Sequence, residues 1–488
     1  MFGAFAALLL LCGISLSIGS FLSIGFAFER NYNEGWNVYN LQRLLSHEVV
    51  YDGNYWRINN YPIGSFLIIG GFNFLVHDPL FCGRIVALVA LAAIVFLAAT
   101  AVRSLGGDRI GAAFGAACTL GFCYLVAPAW IIVDDPQTLG EAVMLGSLVS
   151  YLSRSRDRPG LAFTALLAVL GGFIKHNLVA IPLAITLDLA IRMPRRLPFW
   201  LLCCVGFSAG WLVLTQLIAG GTFVDHLLSP RIFTWYGAHY HLMKYLRLFK
   251  FPLLAMAPVL LAIFSGGRRI LAEWGIIAIA SATIFSGFEG TSYNMFQDAA
   301  VFLGVAAGVT FCVLRKRIFG QSACRWRVAR FAYGVLLVLL AQPLLARTPG
   351  AFSQIYKSSA LLELNRSTEA TFLAEAKYIA TRSGPAICES LLLCYTAGEP
   401  FILDPFNSRQ YILAGKLDEG ELIRRVAAHE FAVIQLRADI CDDPATASCH
   451  ILHYPQKFNR FTDDTLYTID RYYQIGLRSQ DGTFYIPK

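Results

Sequence analysis

The spacing of apolar residues constrains this chain more than any other feature. A helix needs roughly 17 to 25 mostly apolar residues to cross about 30 Å of hydrocarbon. Stretches of that kind, some of them short, recur near 4–27, 84–102, 110–131, 138–152, 160–174, 178–191, 198–219, 251–265, 270–287, 298–314 and 331–346. They predict a polytopic α-helical membrane protein of about eleven spans. Charge is distributed to match: residues 1–349 hold 41 charged side chains, and the 139 residues that follow hold 31. The chain therefore divides into a transmembrane domain, 1–349, and a domain of ordinary water-soluble composition, 350–488.

The net charge of +8 belongs to the first part, which carries 26 Lys and Arg against 15 Asp and Glu, whereas residues 350–488 carry 14 against 17. Such an excess reads as membrane topology before nucleic-acid binding. A further apolar stretch, 61–77, is broken by Pro62 and Gly70-Gly71. If it does not span, the linkers with Arg103/Arg109, Arg154/Arg156/Arg158, Arg192/Arg195/Arg196, Arg268/Arg269 and Arg315/Lys316/Arg317 all fall on the cytoplasmic side, as the positive-inside rule requires. It is therefore read as a helix lying in or dipping into the outer interface. The same parity puts the amino terminus inside and 350–488 outside. The first span lacks a basic flank and a small-residue cleavage site, so it reads as a retained helix.

Sorted by side, eleven of the fifteen carboxylates in 1–349 face outward, and four outer loops carry candidate chemistry. The first, within outer loop 29–83, contains Asn33-Glu34-Gly35-Trp36 and Asn59-Asn60-Tyr61-Pro62. A helix-like stretch over 35–45 would hold Glu34 at its amino end, as an ionised proton acceptor or as a simple cap. The second is Asp134-Asp135-Pro136-Gln137, whose adjacent carboxylates repel; one binds a cation or substrate hydroxyls, or both serve to open the helix at Pro136. The third, Lys175-His176-Asn177, puts a cation on the side where cations are disfavoured. The fourth, 220–250, carries Arg231, Lys244, Arg247 and Lys250 among Trp235, Tyr236, His239, Tyr240 and His241. Outer-face cations mixed with interface aromatics suit a phosphate or anionic headgroup, or snorkel at a helix start. The two histidines are too few and too close to argue for a metal. A last loop, 289–298, offers Glu289, Tyr293 and Asn294 to sugar hydroxyls, or is a polar hairpin.

Residues 350–488 alternate helical and extended patterns: 368–381 and 419–429 helical, 386–389, 401–403 and 431–435 extended, which predicts a small α/β layer domain. On the outer side disulfides persist, and of its four cysteines Cys441 with Cys449 is the preferred pair, then Cys388 with Cys394. This domain covers the site or selects an acceptor; nothing in it reads as catalytic.

The ordered set Asn33-Glu34-Gly35, Tyr39, Leu44-Leu45, Tyr51, Tyr61-Pro62, Arg84, Asp135 and Lys175 resembles the GT-C glycosyltransferases, in particular the bacterial branch related to the aminoarabinose transferases and the protein mannosyltransferases. The resemblance covers about the first 180 residues. It implies a multi-pass enzyme of the bacterial inner membrane that takes a sugar from a polyprenyl-phosphate carrier at the outer leaflet. The acceptor would be a hydroxyl of a glycolipid, polysaccharide or protein. The family's first-loop acidic pair falls on Asn33-Glu34 and its second-loop aspartate on Asp134 or Asp135; Asn33 and Pro62-Ile63 depart from the usual Asp and Pro-Pro. Glu34 is then the expected base, with Glu29 behind it, and Asp135 orients the acceptor. Lys175, Arg247 and Lys250 are expected on the phosphate, with Arg231 and Lys244 behind them and His176 and Tyr61 nearby. No nucleotide is needed, and there is no Gly-rich phosphate loop of the Walker type; no metal or other cofactor is expected beyond the lipid-linked donor. The rival readings are a transporter or lipid-linked-sugar flippase and an anchored receptor.

Overall fold

The computed structural model describes residues 2–153, 157–264, 269–319, 326–437, 440 and 460–488. Each of the eleven apolar stretches contains a helix. The membrane part runs α1 (Phe2–Leu22), two loop helices α2 (Tyr32–Leu45) and α3 (Gly64–Val76), α4 (Pro79–Ser104), α5 (Arg109–Val126), α6 (Pro136–Ser153), α7 (Arg158–Ile174), α8 (Ala180–Arg192), α9 (Leu197–Ala219), the short α10 (Phe223–Leu227), α11 (Trp235–Phe264), α12 (Arg269–Phe285), α13 (Gln297–Phe319) and α14 (Trp326–Leu345). By length and composition, six helices centred on α1, α4, α5, α9, α11 and α13 can cross a membrane, and the bent pair of α14 and α15 (Thr348–Tyr356) makes a seventh. Their starts follow the local sequence: Asp78, Asp108 and Asp157 accept backbone N–H groups of the first turns of α4, α5 and α7, with Pro79 and Pro159 opening two of them.

The centre of the bundle is α13 against α5. Gly111 and Gly115 on α5 meet Gly304 and Gly308 on α13, so close that a Cβ on Gly304 would lie 2.1 Å from Thr119 Oγ1. Small residues four apart on facing helices let backbones approach where no hydrophobic effect drives association.

Two expectations are corrected here. Residues 235–250, read as loop, are the first half of α11, which continues to Phe264 through a kink at Phe249. The inward face buries Ala238, His241, Tyr245 and Phe249 at helical spacing while the outward face is cationic, so average hydropathy hides the helix. The 61–77 stretch is indeed a helix, but its 13 residues begin only at Gly64.

The carboxy-terminal domain continues with α16 (Ser358–Ala380), β1 (Ala386–Cys388), α17 (Leu391–Thr396), α18 (Pro405–Leu413), α19 (Glu419–Ala427), β2 (Val433–Leu436), α20 (Asp463–Tyr472), β3 (Tyr473–Ser479) and β4 (Gly482–Pro487). The sheet order is β1-β2-β4-β3, with β1 and β2 parallel and the other neighbours antiparallel. Residues 401–403 form no strand; they lead into α18, where Asp404 caps the helix. Cys388 and Cys394 form a disulfide from β1 to α17. Cys441 and Cys449, like Arg154, Arg156 and Arg268, lie outside the described residues.

The two domains meet where α17 packs on α2. A Cβ on Gly35 would lie 2.1 Å from the Leu392 nitrogen, Tyr39 stacks on Phe401 at 4.8 Å, and Ser390 Oγ donates to Glu29 at 2.8 Å. Gly35→Ala is expected to lower stability by about 1–3 kcal/mol through this overpacking, read as a drop in thermal midpoint; an unchanged midpoint would show that the contact yields freely.

Candidate active site

A cavity of about 720 Å³ lies between the membrane helices and the carboxy-terminal domain. Its wall is built from the α1–α2 loop (Arg30, Asn31), the start of α2 (Tyr32, Asn33, Trp36), Asn60 and Tyr61, Trp130, the α7–α8 turn (Lys175, His176, Asn177), the segment around Arg231, residues 290–295, and Phe406, Asn407, Arg437 and Arg460. Three of the four candidate loops, with residues 290–295, thus reach the same space, whereas Asp134-Asp135-Pro136-Gln137 contributes no lining residue.

Asp135 does not line this wall itself but touches three residues that do. Its Oδ2 accepts from Asn33 Nδ2 at 2.6 Å and from the Tyr61 hydroxyl at 3.4 Å, and lies 3.8 Å from Lys175 Nζ. Its Oδ1 accepts the Gln137 N–H at 2.8 Å, so the same residue also caps α6. Lys175 Nζ sits 3.7 Å over the Tyr61 ring, which meets Trp36 edge-on. Burial pulls the Lys175 ammonium down to about 8; Asp135 opposes that pull and Arg231 adds to it. His176, Tyr61 and Asn294 also line the cavity, and the Asn294 Oδ1 has no hydrogen-bond partner among the described residues.

Glu34 is elsewhere. It is fully buried, off the cavity, in a paired contact with Arg84: Nε to Oε1 at 2.7 Å and Nη2 to Oε2 at 2.9 Å. The Arg30 backbone N–H donates to Oε2 at 2.7 Å. Burial pushes its carboxyl up, but Arg84 and the Arg30 N–H outweigh it and hold the group below its ordinary range. Both oxygens of Glu34 are occupied and neither faces the cavity. Asp134 is buried beside Gly83, and burial, with Glu34 and Asp135 adding to it and Arg84 opposing it, holds its carboxyl well above the usual range.

Of the expected phosphate cations, Lys175 and Arg231 line the cavity. Arg231 donates to the Glu289 carbonyl at 3.2 Å and to Asn407 Oδ1 at 3.3 Å. Arg247 and Lys250 are not on the wall; they lie on the exposed face of α11, because that stretch is helix and not loop. Lys244 is exposed as well, touching the rim with Nζ 3.6 Å over the Tyr293 ring. Glu289 faces the carboxy-terminal domain, where its Oε2 accepts from Arg409 at 3.0 Å and Gln410 at 2.5 Å.

Sequence reasoning missed Arg30, Arg437 and Arg460. Arg30 spends its guanidinium on the carbonyls of Ser20, Ile131 and Ile132 and on Ser20 Oγ. Arg460 lies 3.7 Å over the Tyr32 ring, and Tyr32 donates to Asp404 at 2.5 Å. Arg437 pairs with Glu29. Only the adjacency of Arg30 to the Asn33-Glu34 motif could have flagged any of these. Among the described residues no cluster of three or more His, Cys, Asp or Glu could hold a metal.

No protein-family model and no curated protein matches the sequence. Solved structures do. ArnT from Cupriavidus metallidurans bound to undecaprenyl phosphate is 14% identical over 99% of this chain and 97% of its own, with a TM-score of 0.57. The apo state of the same protein gives 13%, 99%, 98% and 0.58. Archaeal oligosaccharyltransferase AglB from Archaeoglobus fulgidus, in complex with an inhibitory peptide and a dolichol-phosphate, is 13% identical over 97% of this chain and 74% of its own, with a TM-score of 0.50. The chain shares the fold of these proteins.

Proposed function

We propose that this protein is a membrane glycosyltransferase that moves a sugar from a polyprenyl-phosphate donor to an acceptor hydroxyl at the outer face of the membrane. The observation that carries the reading is the meeting of Lys175 and Arg231 on a single cavity wall with Asp135 directly behind it. The fold adds weight, since ArnT of the same fold is bound to undecaprenyl phosphate. An internal amino terminus and an external domain 350–488 complete the topology. A transporter gains nothing from a wall closed on one side by a folded domain.

In this reading the acceptor oxygen attacks the anomeric carbon as the bond to the phosphate oxygen breaks, and the phosphate leaves with the electron pair. Lys175 and Arg231 neutralise the leaving group, and the acceptor's proton passes to Asp135. A single displacement inverts the anomeric centre. Asn33 and Tyr61 hold Asp135 in place, and Glu34 acts through Arg84 to position the loop. Asn294, with its open oxygen, meets a sugar hydroxyl.

Because the Lys175 ammonium titrates near 8, its charge is present below that pH and lost above it. Carrier affinity is expected to fall as pH rises through about 8 in the unaltered protein and to stay level in Lys175→Arg, whose guanidinium remains charged; parallel binding titrations check this. The function itself is tested by mass analysis of envelope glycans and glycolipids from a strain lacking the protein. A missing sugar is the expected result; an unchanged glycan profile would remove the reading.

A further inference from the structure

Helix α11 carries three cations that the cavity does not use. Lys244, Arg247 and Lys250 are all exposed. With Tyr236 and Tyr240 they fall within about a third of the helix circumference at 100° per residue. The helix contains no Asp or Glu, and none of the three forms an ion pair among the described residues; their contacts are Lys244 over Tyr293 and Lys250 over Phe251, at 4.8 Å. Yet α11 is long and apolar enough to be a span, and an unpaired cation beside hydrocarbon is costly unless it reaches an anion. Side chains on a helix lean toward its amino end, which here is the cavity end. Lys244, the cation nearest that end, reaches the rim, where its Nζ lies over Tyr293, itself part of the cavity wall.

We infer that this strip is a lateral docking site for the phosphate of the polyprenyl carrier, occupied before that phosphate passes Tyr293 into the cavity. The inference rests on the carrier-dependent reading above and names the route by which the lipid enters. Charge supplies the complement, the exposed Tyr236 and Tyr240 mark headgroup level, and the apolar continuation of α11 below Lys250 leaves the polyprenyl tail in lipid.

The test is a binding titration of undecaprenyl phosphate to the full-length protein in nanodiscs, with phosphatidylglycerol and inorganic phosphate as parallel ligands. The triple variant K244Q/R247Q/K250Q is expected to weaken undecaprenyl phosphate binding about ten-fold or more, while K244R/R247K/K250R retains it and controls for folding. An unchanged affinity in the neutral variant overturns the site. An equal loss for phosphatidylglycerol also overturns it, because the strip would then hold any anionic lipid, and so does an equal loss for inorganic phosphate, which would mean that no lipid is recognised. Binding is read without transfer, so a protein that binds the carrier through this strip yet moves no sugar would defeat the proposed function and leave the strip standing.

Discussion

Asp135→Asn is expected to slow sugar transfer by roughly 10²- to 10⁴-fold, the usual worth of a positioned proton acceptor. The substitution keeps the size of the side chain and an oxygen for the Gln137 N–H, so α6 still starts at Pro136. What it removes is the basic oxygen that Asn33 and Tyr61 aim beside Lys175. Carrier binding should change by only a few-fold, since Lys175 and Arg231 remain. Initial rates and lipid titrations on one preparation separate the two effects. Transfer within three-fold of the unaltered protein would place the base elsewhere.

Arg84→Met is expected to cost about 3–5 kcal/mol of stability, because it strands a buried charge. The Arg84 side chain is fully buried, and besides Glu34 its guanidinium donates to the carbonyls of Phe26 at 2.6 Å, Phe28 at 2.7 Å and Ser23 at 3.0 Å. Removing it leaves a carboxylate and a turn of backbone unsatisfied together. Glu34→Gln should be milder and lower transfer only through the displaced loop. The double variant E34L/R84M should regain part of the loss, the carbonyls staying bare. Since Glu34 titrates below its ordinary value of 4.5 when folded, its contribution is full above that value and lost as pH falls through the lower folded one. Denaturant melts at neutral and acid pH read both effects. A midpoint for Arg84→Met equal to that of the unaltered protein would show that the pair holds nothing together.

The helices were readable because each depends on its own residues. Asp78-Pro79 opens α4 with a cap and a fixed φ, and a long apolar run follows that can do nothing in water but leave it. The loops bearing Asp135 and Lys175 were legible too, as charges that a membrane boundary makes costly. Reading failed where averages conceal a face, as on α11, whose cations and buried aromatics cancel in any hydropathy window. It also failed in 401–413, where Asp404 caps a helix after a short apolar run that looked like a strand.

By itself the sequence determined a run of apolar helices and a carboxy-terminal part of mixed helix and strand, because hydrophobic period and charge asymmetry are properties of neighbouring residues. Only the tertiary structure decided that Glu34 belongs to Arg84 fifty positions away, that Asp135 belongs to Lys175, and that Arg437 and Arg460 close the cavity from the far domain. An isolated carboxylate looks the same in a sequence whether it will be paired, protonated or left facing a substrate. Its role is set by burial and by the nearest opposite charge, and both are distances that exist only once the chain has folded.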